Sequence, residues 1–186
     1  MNFPTWLTLA RILATPVVAF LMAMDGPRGS ILAAALFALA AVTDWLDGYL
    51  ARKWNQTSKL GAMLDPIADK LIVGITLAML LWLGALSGWH VAPAIIILGR
   101  EILVSGLREA MAGMNAPRIP SSFAAKIKTA AQMVALTLLT LGPASGILGI
   151  VQVGQALLWV AAGLTAWTGA AYLRAALTAV RKADAA

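Results

Sequence analysis

The sequence contains no cysteine and only one histidine, His90. Without cysteine the chain can form neither disulfides nor thiolate sites, and a zinc centre would want the His or Cys ligands that are missing. Charged residues are also scarce, at 12% of the chain, while hydrophobic residues make up 61%. This balance excludes an ordinary soluble domain and predicts an integral membrane protein.

No internal repeat, low-complexity tract or long linker interrupts the chain, so we predict a single membrane domain over residues 1–186. A membrane-spanning helix needs about 20 largely apolar residues. The sequence has six apolar stretches near that length, at 7–24, 31–49, 67–86, 91–107, 130–148 and 150–173. They predict an all-α integral membrane protein with six transmembrane helices and little chain left for a soluble domain.

The net charge of +6 would suit a nucleic-acid-binding protein, but the positions of the 14 basic residues indicate another cause. Apart from Arg28, they fall towards the termini or around the connections between stretches two and three and between stretches four and five. The turns at 87–90 and 142–149 have no Lys or Arg. The positive-inside rule therefore places both termini and the two basic connections in the cytoplasm. We expect a multi-pass protein of the cytoplasmic (inner) membrane and no nucleic-acid partner.

Half of the eight acidic residues lie in one short window, at Asp44, Asp47, Asp65 and Asp69. A carboxylate at membrane depth costs about 2.5–3.5 kcal/mol and is usually kept for a function. Spacings of three and four residues put each pair on one face of a helix. Two facing helices would bring four carboxylates to one cytoplasm-facing polar cavity, where hard cations such as Mg²⁺ or Mn²⁺ would offset their repulsion.

Two neighbours of these aspartates, Gly48 and Arg52, suit a phosphate-bearing ligand. Gly48 leaves room for a bulky ligand beside the second carboxylate, and Arg52 could pair with a phosphate or with the carboxylates. Pro66 follows Asp65 directly and is expected in the first turn of a helix. The alternative for any single aspartate is an ion pair at the membrane interface with one of the nearby cations, which are Arg52, Lys53, Lys59 and Lys70.

The complete spacing, D-x2-D-G-x2-A-R-x8-G-x3-D-x3-D over 44–69, matches every fixed position of the CDP-alcohol phosphatidyltransferase signature, and the chain resembles that family. Segment 2–12 is similar to the N-terminal segment of the family, and segments 65–70, 100–109 and 126–133 are similar to the family members that make phosphatidylglycerophosphate. Phe3 departs from the more usual aliphatic residue at a position without chemistry.

The resemblance implies a metal-dependent enzyme that transfers the phosphatidyl group of CDP-diacylglycerol to sn-glycerol 3-phosphate, releasing CMP, and that forms a homodimer among membrane lipids. Asp44 and Asp65 would bridge two Mg²⁺ or Mn²⁺ ions, Asp47 would complete one site, and Asp69 would complete the other and act as general base. The positions matching contacts to the cytidine diphosphate are Gly48, Arg52 and Ser58.

An acceptor with its own phosphate needs further fixed cations. Candidates around the connection between stretches four and five are Arg100, Arg108, Arg118, Lys126 and Lys128. Of these, we hypothesise that Arg108, Lys126 and Lys128 bind the acceptor phosphate. The alternatives are that Glu101 or Glu109 neutralises the neighbouring arginines, or that these cations only set the topology.

Other functions remain open at this stage. The same chemistry could use phosphatidylglycerol or inositol phosphate as acceptor. Aromatic prenyltransferases also use aspartate pairs with Mg²⁺, but their two acidic motifs are much farther apart than Asp47 and Asp65. A non-enzymatic divalent-cation transporter would explain buried carboxylates, although it would not need Gly48 and Arg52.

Overall fold

A computed structural model describes residues 3–54, 59–113 and 123–184, and in these ranges the chain is helical with no strand. Six α-helices follow one another: α1 Phe3–Ala23, α2 Pro27–Trp54, α3 Lys59–Trp82, α4 Val91–Gly113, α5 Phe123–Leu141 and α6 Ile150–Asp184. Short 3-10 turns at Gly88–His90 and Gly142–Ser145 precede α4 and follow α5. The predicted all-α class is confirmed.

In the part of the chain that the structure describes, four helices are long and apolar enough to cross a membrane, which indicates a membrane protein. The apolar segments are Thr5–Ala23, Pro27–Asp44, Gly88–Gly113 and Ile150–Thr178. The other two long helices have charged residues within them: Asp65, Asp69 and Lys70 in α3, and Lys126 and Lys128 in α5. The total of six spans therefore stays a prediction.

Glycine and proline mark the helix boundaries that the sequence indicated. Gly26 has a φ of 91°, a left-handed conformation that other residues rarely adopt, and Pro27 follows as the first residue of α2. At the end of α3, the Gly84 amide donates to the Leu81 carbonyl and φ is 73°. The turn at Gly26 thus joins α1 to α2 with a short connection, and the turn at Gly84 follows the end of α3.

The residues form two compact units. The first comprises Met1–Ser87 and Met133–Gln155, and the second comprises Gly88–Gln132 and Ala156–Ala186. In the first unit, α1 packs against both α2 and α3. Its core includes Phe37, Leu77 and Leu80, all of which are fully buried. The second unit has its own buried residues, among them Ile97 and Leu158.

The buried face of α1 is polar in its first half and apolar in its second. Thr5, Thr8, Arg11 and Thr15 are all buried, at spacings of three and four residues, and Val18 and Met22 continue the same face. A buried polar group needs a hydrogen-bond partner, particularly in a membrane protein. The polar half of this face therefore indicates where α1 meets polar groups of α2 and α3.

Candidate active site

Two helices of the first unit supply the predicted carboxylates. Asp44 lies in α2, and Asp65 and Asp69 lie one turn apart in α3. All three side chains are partly buried. Asp47 lies one turn after Asp44 in α2, but the described side chains do not include it. The same holds for Gly48 and Arg52 in α2, while Ser58 and Arg118 lie outside the described residues altogether.

Arg11 of α1 joins the carboxylates of the two other helices. Its Nη1 atom lies 2.6 Å from Asp44 Oδ1 and 2.9 Å from Asp69 Oδ1, and it donates a hydrogen bond to the latter. The Arg11 side chain is 2% exposed, against 29% for Asp44 and 45% for Asp69. One nitrogen therefore bridges α2 and α3 from inside the first unit.

Thr8, one turn before Arg11, holds the third carboxylate. Its Oγ1 donates to Asp65 Oδ1 at 2.6 Å, and the residue is 1% exposed. Hydrogen bonds to a charged acceptor are short and stronger than neutral ones. All three described carboxylates are thus oriented by one face of α1.

The sequence analysis does not identify Thr8 or Arg11 as site residues, and it assigns Arg11 to the cations that set the topology. The missed signal was the recurrence of Thr5, Thr8, Arg11 and Thr15 at helical spacing in an otherwise apolar helix. Asp44 and Asp69 do form ion pairs, but with Arg11 and not with Lys70, which is exposed.

The prediction that Pro66 lies in the first turn of a helix is wrong. This residue lies inside α3, which begins seven residues earlier at Lys59. Proline removes a backbone donor from the helix, but membrane helices tolerate it when neighbouring groups satisfy the freed carbonyl. Asp65 consequently projects from a continuous helix and not from the entry to one.

A small cavity adjoins the Arg11 cluster. It is lined by the polar residues Arg11, Asp44 and Asp69 and by apolar side chains that include Phe37, Ile72 and Met133. Apolar walls lower the local dielectric constant, so charge interactions here are stronger than in water. A larger cavity of about 490 Å³ lies elsewhere in the first unit, around residues 22–30, 80–85 and 139–144, and none of the three described motif aspartates lines it.

The donor atoms of the cluster suit a hard divalent cation. Carboxylate oxygens are the ligands that Mg²⁺ and Mn²⁺ prefer. The convergence of Asp44 and Asp69 on a single positively charged nitrogen indicates that this point in the protein accommodates a cation. Among the described side chains, however, no three His, Cys, Asp or Glu residues are grouped as a metal site.

The second unit contains a cluster of predicted acceptor-binding cations. Lys128 Nζ lies 2.8 Å from Glu101 Oε1, and Arg100 Nη1 lies 3.0 Å from the same oxygen. The cluster has two cations for one anion. Glu101 thus forms an ion pair with Arg100 as well as with Lys128, while acceptor binding by these cations stays a prediction.

The other two described candidates for acceptor binding, Arg108 and Lys126, are arranged differently. The Arg108 guanidinium lies 5.6 Å from the centre of the Tyr172 ring, a cation–π contact. Lys126 is exposed. Thus Lys128 joins Arg100 at Glu101, whereas Arg108 contacts Tyr172 of α6.

The hydrogen bond from Thr8 can be tested by stability. Thr8→Val keeps the shape of the side chain but leaves Asp65 without its donor, and we expect a loss of about 1 kcal/mol or more in unfolding free energy. Thr15→Val is the matched control, because Thr15 is equally buried but donates only to the Arg11 carbonyl of its own helix. Equal losses in detergent unfolding of the two variants would contradict the role of Thr8.

Comparison with known proteins agrees with this architecture. The family model described as CDP-alcohol phosphatidyltransferase matches residues 1–167. Proteins named CDP-diacylglycerol--glycerol-3-phosphate 3-phosphatidyltransferase are 47% identical in Rickettsia bellii, covering 94% of each chain, and 44% identical in Pseudomonas fluorescens, covering 95% of this chain and 90% of the relative. One from Sodalis glossinidius is 43% identical, over 95% of both chains. The chain therefore belongs to the CDP-alcohol phosphatidyltransferase family.

Proposed function

We propose that this chain transfers the phosphatidyl group of CDP-diacylglycerol to sn-glycerol 3-phosphate, giving phosphatidylglycerophosphate and CMP. The observation that carries the proposal is the convergence of the motif carboxylates Asp44 and Asp69 on one cationic point between α2 and α3. The names of relatives at 43–47% identity support the same donor and acceptor. The reaction would supply the biosynthesis of phosphatidylglycerol and cardiolipin.

The proposed setting is a single domain, residues 1–186, in the cytoplasmic membrane. The family match supports this, since it runs through residues of both units. In this proposal all six helices cross the bilayer, because α3 and α5 have 24 and 19 residues and a helix rises about 1.5 Å per residue. Basic residues at the termini and in two connections favour a cytoplasmic position for both termini and for a polar cavity at the aspartates. A homodimer is part of the proposal on family resemblance alone.

Asp44, Asp47, Asp65 and Asp69 are the residues that would hold two Mg²⁺ or Mn²⁺ ions. When bound, such ions neutralise the diphosphate of the donor and stabilise the departing CMP. The side chains themselves have the further task of staying close together despite their like charges. Packing of α1 against α2 and α3 supports that task, because Thr8 and Arg11 orient three of the four.

The remaining motif residues have roles in substrate binding and proton transfer. Asp69 accepts the proton of the acceptor hydroxyl as that oxygen attacks the lipid-linked phosphorus. Arg52 supplies a guanidinium fork for the cytidine diphosphate, and Ser58 a hydroxyl. Gly48, without a side chain, allows the nucleotide to approach the backbone of α2.

The acceptor phosphate is assigned to the basic residues around the connection between α4 and α5. Arg108, Lys126 and Lys128 are the principal candidates, with Arg100 and Arg118 as further ones. What supports the assignment is the excess positive charge where Arg100 and Lys128 share Glu101. A dianionic phosphate could form charge-assisted hydrogen bonds with these cations.

The proposed reaction is tested by incubating purified protein in detergent with CDP-diacylglycerol, Mg²⁺ and one acceptor at a time, and measuring CMP release. We expect release with sn-glycerol 3-phosphate and little with phosphatidylglycerol, inositol phosphate or serine. Release with a different acceptor would correct the acceptor alone. No release with any acceptor, together with Mn²⁺ flux into vesicles, would replace the transferase by a cation transporter.

Asp69→Asn tests the proposed base. The amide keeps the size of the side chain but cannot take a proton, so we expect CMP release to fall by about 10² or more. Binding of CDP-diacylglycerol should remain within a few fold of the unsubstituted protein. Asp25→Asn, in the exposed connection between α1 and α2, is the control and should retain full activity. Substantial activity in Asp69→Asn would remove the base assignment.

Alanine substitutions of Arg108, Lys126 and Lys128 test acceptor binding. Loss of one charge-assisted contact to the phosphate should raise the KM for sn-glycerol 3-phosphate by about tenfold while leaving the KM for CDP-diacylglycerol nearly unchanged. Arg181→Ala, which removes an exposed cation near the end of α6, is the control. The assignment is wrong if the acceptor KM is the same in all three variants as in the control.

A further inference from the structure

Arg11 is the only charged residue of α1 and is almost completely buried. A buried cation in a membrane helix is costly and is normally kept in contact with anions or polar groups. Among the described side chains, Arg11 contacts the carboxylates of Asp44 and Asp69. A cation that only sets the topology does not need to be buried. The burial of Arg11 in an apolar helix is therefore explained by its contacts with those carboxylates.

The contact has a geometry that bears on metal binding. A single atom, Nη1, lies within 3 Å of one oxygen from each carboxylate. A metal ion coordinated by the same two oxygens would lie about 2.0–2.1 Å from each of them if it were Mg²⁺. The guanidinium and such an ion therefore cannot occupy the space between Asp44 and Asp69 together.

We propose that Arg11 is a positioning residue that serves as an internal counter-ion: it holds Asp44 and Asp69 together in the metal-free protein, and a divalent cation displaces it from them. This inference rests on the proposed metal-binding role of the two aspartates. It assigns Arg11 to neither substrate nor proton transfer. Exchange of one cation for another keeps the carboxylates close at every stage and limits the affinity for the metal.

A competing counter-ion and a purely structural residue predict opposite changes in metal affinity when Arg11 is removed. Removing Arg11 leaves two partly buried carboxylates without this counter-charge, so the metal-free protein becomes less stable under either explanation. If Arg11 competes with the metal, its removal also makes the metal bind more tightly. If Arg11 only maintains the local structure, its removal distorts the ligands and makes the metal bind more weakly.

The experiment measures free Mn²⁺ by electron paramagnetic resonance in titrations of full-length protein in detergent, without substrate. The proteins are the unsubstituted chain, Arg11→Gln, Arg11→Lys and the control Arg28→Gln, which removes an exposed arginine at the start of α2. We expect the Mn²⁺ Kd to fall about tenfold or more in Arg11→Gln, because a positive charge next to the site is lost. Arg11→Lys should give a smaller fall, since an ammonium forms no fork, and Arg28→Gln none.

The thermal midpoint provides a second readout on the same samples. Arg11→Gln should melt at a lower temperature than the unsubstituted protein without Mn²⁺ and gain more from saturating Mn²⁺. An unchanged or raised Mn²⁺ Kd in Arg11→Gln overturns the counter-ion role alone. If that variant does not fold, Arg11→Lys decides by the same criterion. Absence of Mn²⁺ binding to the unsubstituted protein overturns both this inference and the proposed metal site.

Discussion

The contact of one buried guanidinium with two carboxylates from different helices is the constraint on which the first unit depends. Asp44 and Asp69 would repel each other in a medium of low dielectric constant, and Arg11 is costly there by itself. Contact between the three side chains lowers both costs, because Arg11 Nη1 lies between an oxygen of Asp44 and an oxygen of Asp69. The polar half of the α1 face, with Thr8 on Asp65, extends the same solution to the third carboxylate.

The sequence was sufficient to predict what depends on distance along the chain. The apolar stretches predicted the helices, and the spacings of three and four predicted that Asp65 and Asp69 share a face. It was not sufficient for contacts between helices: nothing in a count of charges distinguishes a buried Arg11 from a cation at the membrane surface. The prediction for Pro66 was wrong for a related reason. Local preference places a proline at the start of a helix, but the tertiary structure continues α3 through Pro66.

The second unit shows how charges that look alike in the sequence differ in the structure. Arg100 and Lys128 share the Glu101 carboxylate, Arg108 lies over Tyr172, and Lys126 is exposed. Gly169 contributes to this arrangement, because a Cβ atom there would come within 2.8 Å of Arg100 Cγ. In the proposed function the carboxylate motif serves the CDP-linked donor, and these less regular cations select the acceptor.

A double-mutant cycle on Arg11 and Asp44 tests the coupling that underlies this account most directly. The unfolding free energies of Arg11→Gln, Asp44→Asn and the double variant are compared with that of the unsubstituted protein in the same detergent. The Arg11–Asp44 contact is lost in each single variant, so the sum of the two single losses counts it twice, whereas the double variant loses it only once. The account predicts that the double variant loses less than the sum of the single losses, by about 1 kcal/mol or more. Additive losses would contradict it.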